Sequence, residues 1–240
     1  MFDRIKVLWD RVNHGRYFCS LENYRDCKGV LDVLNNEFGY LNSFLQKGCV
    51  DKNGECIPWY TYPAIEYLEQ FDFSKKTVFE YGSGNSTCWW AARSLAIKSV
   101  EHDVCWYEEN EKSYRKYSNL EYRLCEDKKL YVEELSKKYD VIIIDAQWRD
   151  LCVERAIEFL NDGGMIIIDD SQRVQWLDEY RRAMEILQKD KHFIEIDFYG
   201  FAPLVAYTKV TTVFISRNHL FPRKKGYMPL MGNGNIAEHD

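Results

Sequence analysis

The stretch Val78-Phe79-Glu80-Tyr81-Gly82-Ser83-Gly84-Asn85-Ser86-Thr87 decides how this chain reads. Thr77 to Tyr81 is a short apolar run that ends in a glycine turn, and Ser86 to Leu95 reads as a helix. Strand, glycine turn and helix open an α/β unit, and the glycines let the backbone turn sharply and approach a ligand. Asn85 and Ser86 are placed to cap the helix. Two neighbours narrow what the turn can hold. A dinucleotide fingerprint asks for a third small residue where this chain has Thr87. Glu80, two residues before Gly82, would repel a pyrophosphate but suits the cationic amino group of an amino-acid moiety.

Working outward, strands and helices alternate. Ser99-Val100-Glu101 is a second strand, Tyr122 to Cys125 a weak third, Tyr139 to Asp145 a fourth, and Met165 to Asp169 a fifth, entered through a turn at Gly163-Gly164. Helices are expected over Val104 to Tyr117, Leu151 to Leu160 and Val174 to Gln188. Uninterrupted apolar strands such as Val141-Ile142-Ile143-Ile144 imply a parallel sheet covered on both faces. His192 to Tyr199 and Thr211 to Ser216 have only a loop between them, so that pair is expected to be antiparallel. Toward the N-terminus, Leu31, Leu34, Phe38, Leu41 and Leu45 recur at helical spacing and predict an amphipathic helix. Pro63 is placed to begin another. The chain therefore divides into a helical cap at 1–57, a doubly wound α/β domain at 58–218 and a tail at 219–240.

Bulk composition sets limits. The 240 residues are 46% hydrophobic, enough for one large core. A net charge of −6 argues against a general nucleic-acid partner, and the basic group Arg217, Arg223, Lys224 and Lys225 reads as a solvated tail. Eight cysteines without a Cys-x-x-Cys pair look like reduced thiols of a cytoplasmic protein, with Cys49 and Cys56 the one candidate pair under oxidation. Neither a signal peptide nor a membrane span is expected.

The charged strand ends carry the chemistry. Glu101 closes the second strand, where a carboxylate can accept from two ribose hydroxyls. His102 follows, as a packing residue or an adenine contact. Asp145 ends the fourth strand, and Asp169 and Asp170 end the fifth. In a parallel sheet these three lie on the edge that holds the glycine turn. Converging carboxylates need something cationic, either a divalent ion or cationic groups of a ligand. Capping of the next helix by Asp170 and Ser171 is the alternative.

Together, Glu80/Gly82-x-Gly84, Glu101, Tyr139 to Asp145 and Gly163 to Asp170 resemble a class I S-adenosylmethionine-dependent methyltransferase, nearest the catechol and sugar O-methyltransferase branch. The resemblance covers about Pro58 to Ser216. It implies a seven-stranded, mostly parallel, Rossmann-like sheet with the last strand antiparallel. It implies S-adenosylmethionine as cofactor, held by Thr61, Glu80, Gly82, Ser83, Gly84, Asn85, Ser86, Glu101, His102 and Asp145. It implies Asp145 and Asp169 as catalytic groups, with Mg²⁺ on Asp145, Asp169 and Asp170, although many metal-using members carry Asn where this chain has Asp170. The expected acceptor is a small molecule or saccharide bearing a hydroxyl. Its pocket would draw on the cap, Gln147-Trp148-Arg149 and Tyr199 to Pro203, with Arg149 either on an anionic acceptor or paired at the surface with Asp150 or Glu154. A homodimer is left open. Two rival readings share the strand and glycine turn: a nicotinamide-dependent oxidoreductase, and a non-catalytic cofactor-binding module.

Overall fold

The computed structural model describes residues 21–224; the basic residue Lys225, Cys19 and the tail expected from Gly226 lie outside them. Among the described residues, one sheet holds β1 (Thr77–Tyr81), β2 (Ala96–Glu101), β3 (Leu120–Leu124), β4 (Tyr139–Ile144), β5 (Leu160–Asp169), β6 (Phe193–Phe201) and β7 (Thr208–Ser216). The order across the sheet is β3-β2-β1-β4-β5-β7-β6. β1 to β5 pair in parallel, while β7 runs antiparallel to both β5 and β6. The classical dinucleotide order 3-2-1-4-5-6 has no such inserted strand.

The alternation of side chains explains why both faces are covered. Val78, Val141, Ile143, Met165 and Ile167 point to one face, and Phe79, Tyr81, Ile142, Ile144, Ile166 and Ile168 to the other. On the first face pack α3 (Tyr62–Glu69), through Ile65 and Leu68, and α4 (Asn85–Ala91), through Trp89 and Trp90. On the second pack α6 (Lys128–Glu133), α7 (Arg149–Phe159) and α8 (Asp178–Lys189), through Tyr131, Val153, Ala156, Ala183 and Leu187. α5 (Val104–Tyr114) lies between β2 and β3, with only Tyr114 fully withdrawn from solvent. Each apolar chain so buried contributes about 1.5–3 kcal/mol.

Several elements depart from the sequence reading. The single N-terminal helix is two, α1 (Leu21–Asn36) and α2 (Tyr40–Gln46). Gly39 breaks it at φ +73°, where a Cβ would sit 2.2 Å from the carbonyl carbon of Asp51. Leu34 and Phe38 pack on the core, but Leu31, Leu41 and Leu45 are exposed, so the apolar stripe is only half used. Gly163 and Gly164 lie within β5 at a register shift against β4, not in a turn before it. The expected Val174 helix is a 3-10 turn (Ser171–Gln175) followed by α8. The stretch assigned to the tail packs as far as Lys224: Phe221 is buried against Phe71 and Phe73, and Lys224 N–H donates to the Gln70 carbonyl. Cys49 and Cys56 are both free thiols. No helix among the described residues is long and apolar enough to cross a membrane.

Candidate functional site

The C-terminal ends of β1, β2, β4 and β5 meet at one edge of the sheet. Gly82 ends β1 at φ +94°, and a Cβ there would lie 2.1 Å from the Asp145 carbonyl oxygen. The turn is tied to β2 by its own N–H, which donates to the Val100 carbonyl at 2.9 Å, and by the Ser99 hydroxyl, which donates to the Gly82 carbonyl at 2.8 Å. The glycine turn and the end of β4 are thus one packed unit. Glu80 lies beneath it, 1% exposed, and accepts from the Ser86 hydroxyl at 2.6 Å and the Thr87 hydroxyl at 2.5 Å. Burial pushes its carboxyl up to about 7, against the pull of those two hydroxyls. Thr87 also accepts from the Gly84 N–H at 3.1 Å, so Thr87, rather than Asn85 or Ser86, ties the first turn of α4 to its start.

Glu101, 4% exposed, is the second anchor. Its Oε1 accepts from the N–H groups of His102 and Asp103 at 2.8 and 3.0 Å. Its Oε2 accepts from the Ser83 hydroxyl at 2.7 Å, and that hydroxyl lies 2.9 Å from Tyr122 Oη. The Trp106 indole closes the group from outside by donating to the Ser83 carbonyl at 2.8 Å. His102 sits edge-on to Tyr131 and Trp148, with centroids 5.9 and 5.6 Å away. Trp148 is held at φ +57°, a conformation rare for a bulky residue, and its N–H donates to Glu179.

The third group is the aspartate cluster. Asp169, 2% exposed, accepts from Lys209 Nζ at 2.5 Å and from the Thr211 hydroxyl at 2.7 Å. Asp170 lies 2.9 Å from Lys209 Nζ and 2.6 Å from Arg173. Asp145 accepts from Arg149 Nη2 at 2.8 Å. Burial and the neighbouring aspartates push Asp169 up to about 7, against the pull of Lys209. Lys209 and Arg173 hold Asp170 below the usual carboxylate range in spite of burial. Against burial, the two carboxylates hold Lys209 above its usual value. These residues line a cavity of about 200 Å³ together with Trp59, Val205 and Tyr207.

A divalent ion does not fit this donor set. Both oxygens of Asp169 are engaged by Lys209 and Thr211, and both of Asp170 by Lys209, Gln172 and Arg173. Among the described residues no group of three His, Cys, Asp or Glu side chains is arranged to hold a metal. The expectation of Mg²⁺ at Asp145, Asp169 and Asp170 is therefore not supported: Arg149, Lys209 and Arg173 supply positive charge to that cluster from within the chain.

No family model matches the chain, and no curated protein matches it. Solved structures do. An O-methyltransferase from Bacillus cereus in complex with SAH superposes with a TM-score of 0.58 at 16% identity, over 79% of this chain and 96% of its own. A Klebsiella pneumoniae protein described as a putative O-methyltransferase gives 0.53 at 16% identity, over 64% and 76%. The O-methyltransferase TomG from Streptomyces achromogenes, involved in tomaymycin synthesis and solved with SAM, gives 0.52 at 15%, over the same shares. This chain has the class I methyltransferase fold.

Within that methyltransferase fold, the structure brings Glu80, Gly82, Ser83, Gly84, Ser86, Glu101, His102 and Asp145 to one edge, with Asp169 and Asp170 beside them. Two expected cofactor contacts are spent otherwise. Thr61 is fully buried, its N–H donating to Thr211 and its hydroxyl to the Phe198 carbonyl. Asn85 donates to the Cys49 carbonyl at 2.7 Å. Arg149 is not paired at the surface with Asp150 or Glu154: it is 7% exposed, pairs with Asp145, stacks 4.1 Å over the Tyr180 ring and lines the cavity. The sequence reading missed Lys209, Trp106 and Tyr122. Lys209 fell in the stretch read as a loop, and no sequence signal pairs it with residues forty positions earlier.

Proposed function

We propose that this chain is an S-adenosylmethionine-dependent methyltransferase that methylates a hydroxyl of a small, saccharide-like acceptor. The observation that carries the reading is Glu101. A buried carboxylate ends β2, fixed on one oxygen by two backbone N–H groups and, among the described residues, reached on the other by the Ser83 hydroxyl alone. A ribose diol can replace that hydroxyl as donor. The Gly82–Ser86 backbone and Glu80 would take the amino-acid end, and His102 with Trp148 would border the adenine. Two of the similar structures were solved with SAM or SAH.

The cofactor would supply a methyl group on a sulfonium centre, and the chain must align the acceptor and accept its proton. Asp145 suits the proton transfer. It lines the cavity with 42% of its side chain exposed, whereas Asp169 has 2%. Arg149 fixes its orientation. Asp169 then serves as an anchor, with both oxygens occupied. Trp59 and Tyr207, 45% and 61% exposed, offer ring faces to a sugar at the cavity rim.

Calorimetry with S-adenosylmethionine, S-adenosylhomocysteine and NAD tests this. Binding of the first two and not of NAD is expected. No heat from either at millimolar concentration would sink the reading, and NAD binding in their place would favour the oxidoreductase. A non-catalytic module would bind the cofactor yet transfer no methyl to any hydroxylated acceptor.

A further inference from the structure

We propose that Lys209 is a built-in cation that stands in the place of a divalent metal, making this site metal-independent by construction and tying Trp59 to the cavity rim. The claim about charge stands on geometry alone; its meaning for methyl transfer rests on the function proposed above.

An ammonium has three N–H donors, and here each has an acceptor: Asp169 Oδ2 at 2.5 Å, Asp170 Oδ1 at 2.9 Å and the Trp59 carbonyl at 2.8 Å. The Lys209 side chain is 3% exposed, so it does not reach out to substrate. It is a positioning residue. The charges also balance. Three carboxylates, Asp145, Asp169 and Asp170, face three cations, Arg149, Lys209 and Arg173. A divalent ion added to this set would leave it two charges positive and would have to displace the ammonium first. The third acceptor gives Lys209 a second task. Trp59 precedes α3, and its indole ring lies 5.5 Å from Nζ, so one side chain links the end of β5 to Trp59 at the cavity rim.

Manganese(II) is the probe, read by calorimetry and by its spin resonance signal, neither of which needs turnover. The wild-type chain should show no saturable Mn²⁺ binding at about millimolar concentration, where oxygen-rich protein sites fill. Lys209→Met keeps the stem and removes the charge. It should gain Mn²⁺ affinity at least about tenfold, and adding Asp170→Asn should abolish the gain. Lys209→Arg keeps the charge and should stay blind to Mn²⁺, which a merely structural role would not require. Saturable wild-type binding that Asp170→Asn removes would overturn the proposal, even if Lys209→Met fails to fold. So would a folded Lys209→Met chain with no gain. Failure to bind S-adenosylmethionine would leave these metal titrations intact, so the two proposals fail separately.

Discussion

Replacing Glu80 by glutamine should change how stability depends on pH by an amount readable from its surroundings. The carboxyl is 1% exposed and faces the Ser86 and Thr87 hydroxyls. Burial raises it from 4.5 to about 7. A group whose folded value lies above its unfolded one lends stability fully below the unfolded value, and that stability is lost as pH rises through the folded one. The window is therefore 4.5 to about 7. At about 1.4 kcal/mol per pH unit, the span corresponds to about 3 kcal/mol. Glutamine is neutral throughout, and its amide can still meet both hydroxyls. The variant should match the wild type near pH 4.5 and be about 3 kcal/mol more stable by pH 8.

Urea unfolding at pH 5, 6, 7 and 8 measures this. Tryptophan fluorescence is a direct reporter, because Trp89 and Trp90 lie buried in the helix that starts at the glycine turn. Asp169, also raised to about 7, titrates in the same window. It is present in both proteins and cancels in the difference. A difference that stays flat within about 0.5 kcal/mol from pH 5 to 8 would refute the burial argument.

Three other outcomes are expected. Gly82→Ala should cost about 2 kcal/mol or more and weaken cofactor binding, because φ is +94° and the new Cβ meets the Asp145 carbonyl; a wild-type urea midpoint contradicts this. Glu101→Ala should weaken S-adenosylmethionine binding by about 1.5–3 kcal/mol, the scale of charge-assisted hydrogen bonds; unchanged affinity in calorimetry removes Glu101 from the site. A hydrogen bond from the Cys88 thiol lowers Cys56 to about 7. Its alkylation, followed by peptide mapping, should therefore reach half its maximal rate near that pH, and Cys88→Ala should move the midpoint up; an unmoved midpoint denies the thiol–thiol contact.

The parts of this molecule that were legible in the sequence are those set by neighbours along the chain. β1, β4 and the Met165–Asp169 half of β5 are apolar runs closed by glycine or aspartate, and they sit where the pattern puts them, although β5 begins five residues earlier, at Leu160. The antiparallel ending follows from a connection too short to hold a crossover helix. What escaped depends on distance in sequence. Helix α6 carries a single buried side chain, Tyr131, in a charged stretch, so periodicity could not report it. The break at Gly39 exists because the chain folds back at Asp51.

The aspartate cluster is the sharpest case. Three carboxylates at one sheet edge require positive charge, and that inference from the sequence holds. The source of the charge is decided by register. Asp169 pairs with Thr211 across the antiparallel β5–β7 ladder. Lys209, two residues before Thr211, shares its face and projects past the end of β5. A slip of one residue would turn Lys209 to the other face and leave Asp169 and Asp170 without their ammonium. The same carboxylates would then be the oxygen-rich set that a divalent ion seeks. Between a metal site and a lysine-neutralised one, the difference is the register of a single strand pair.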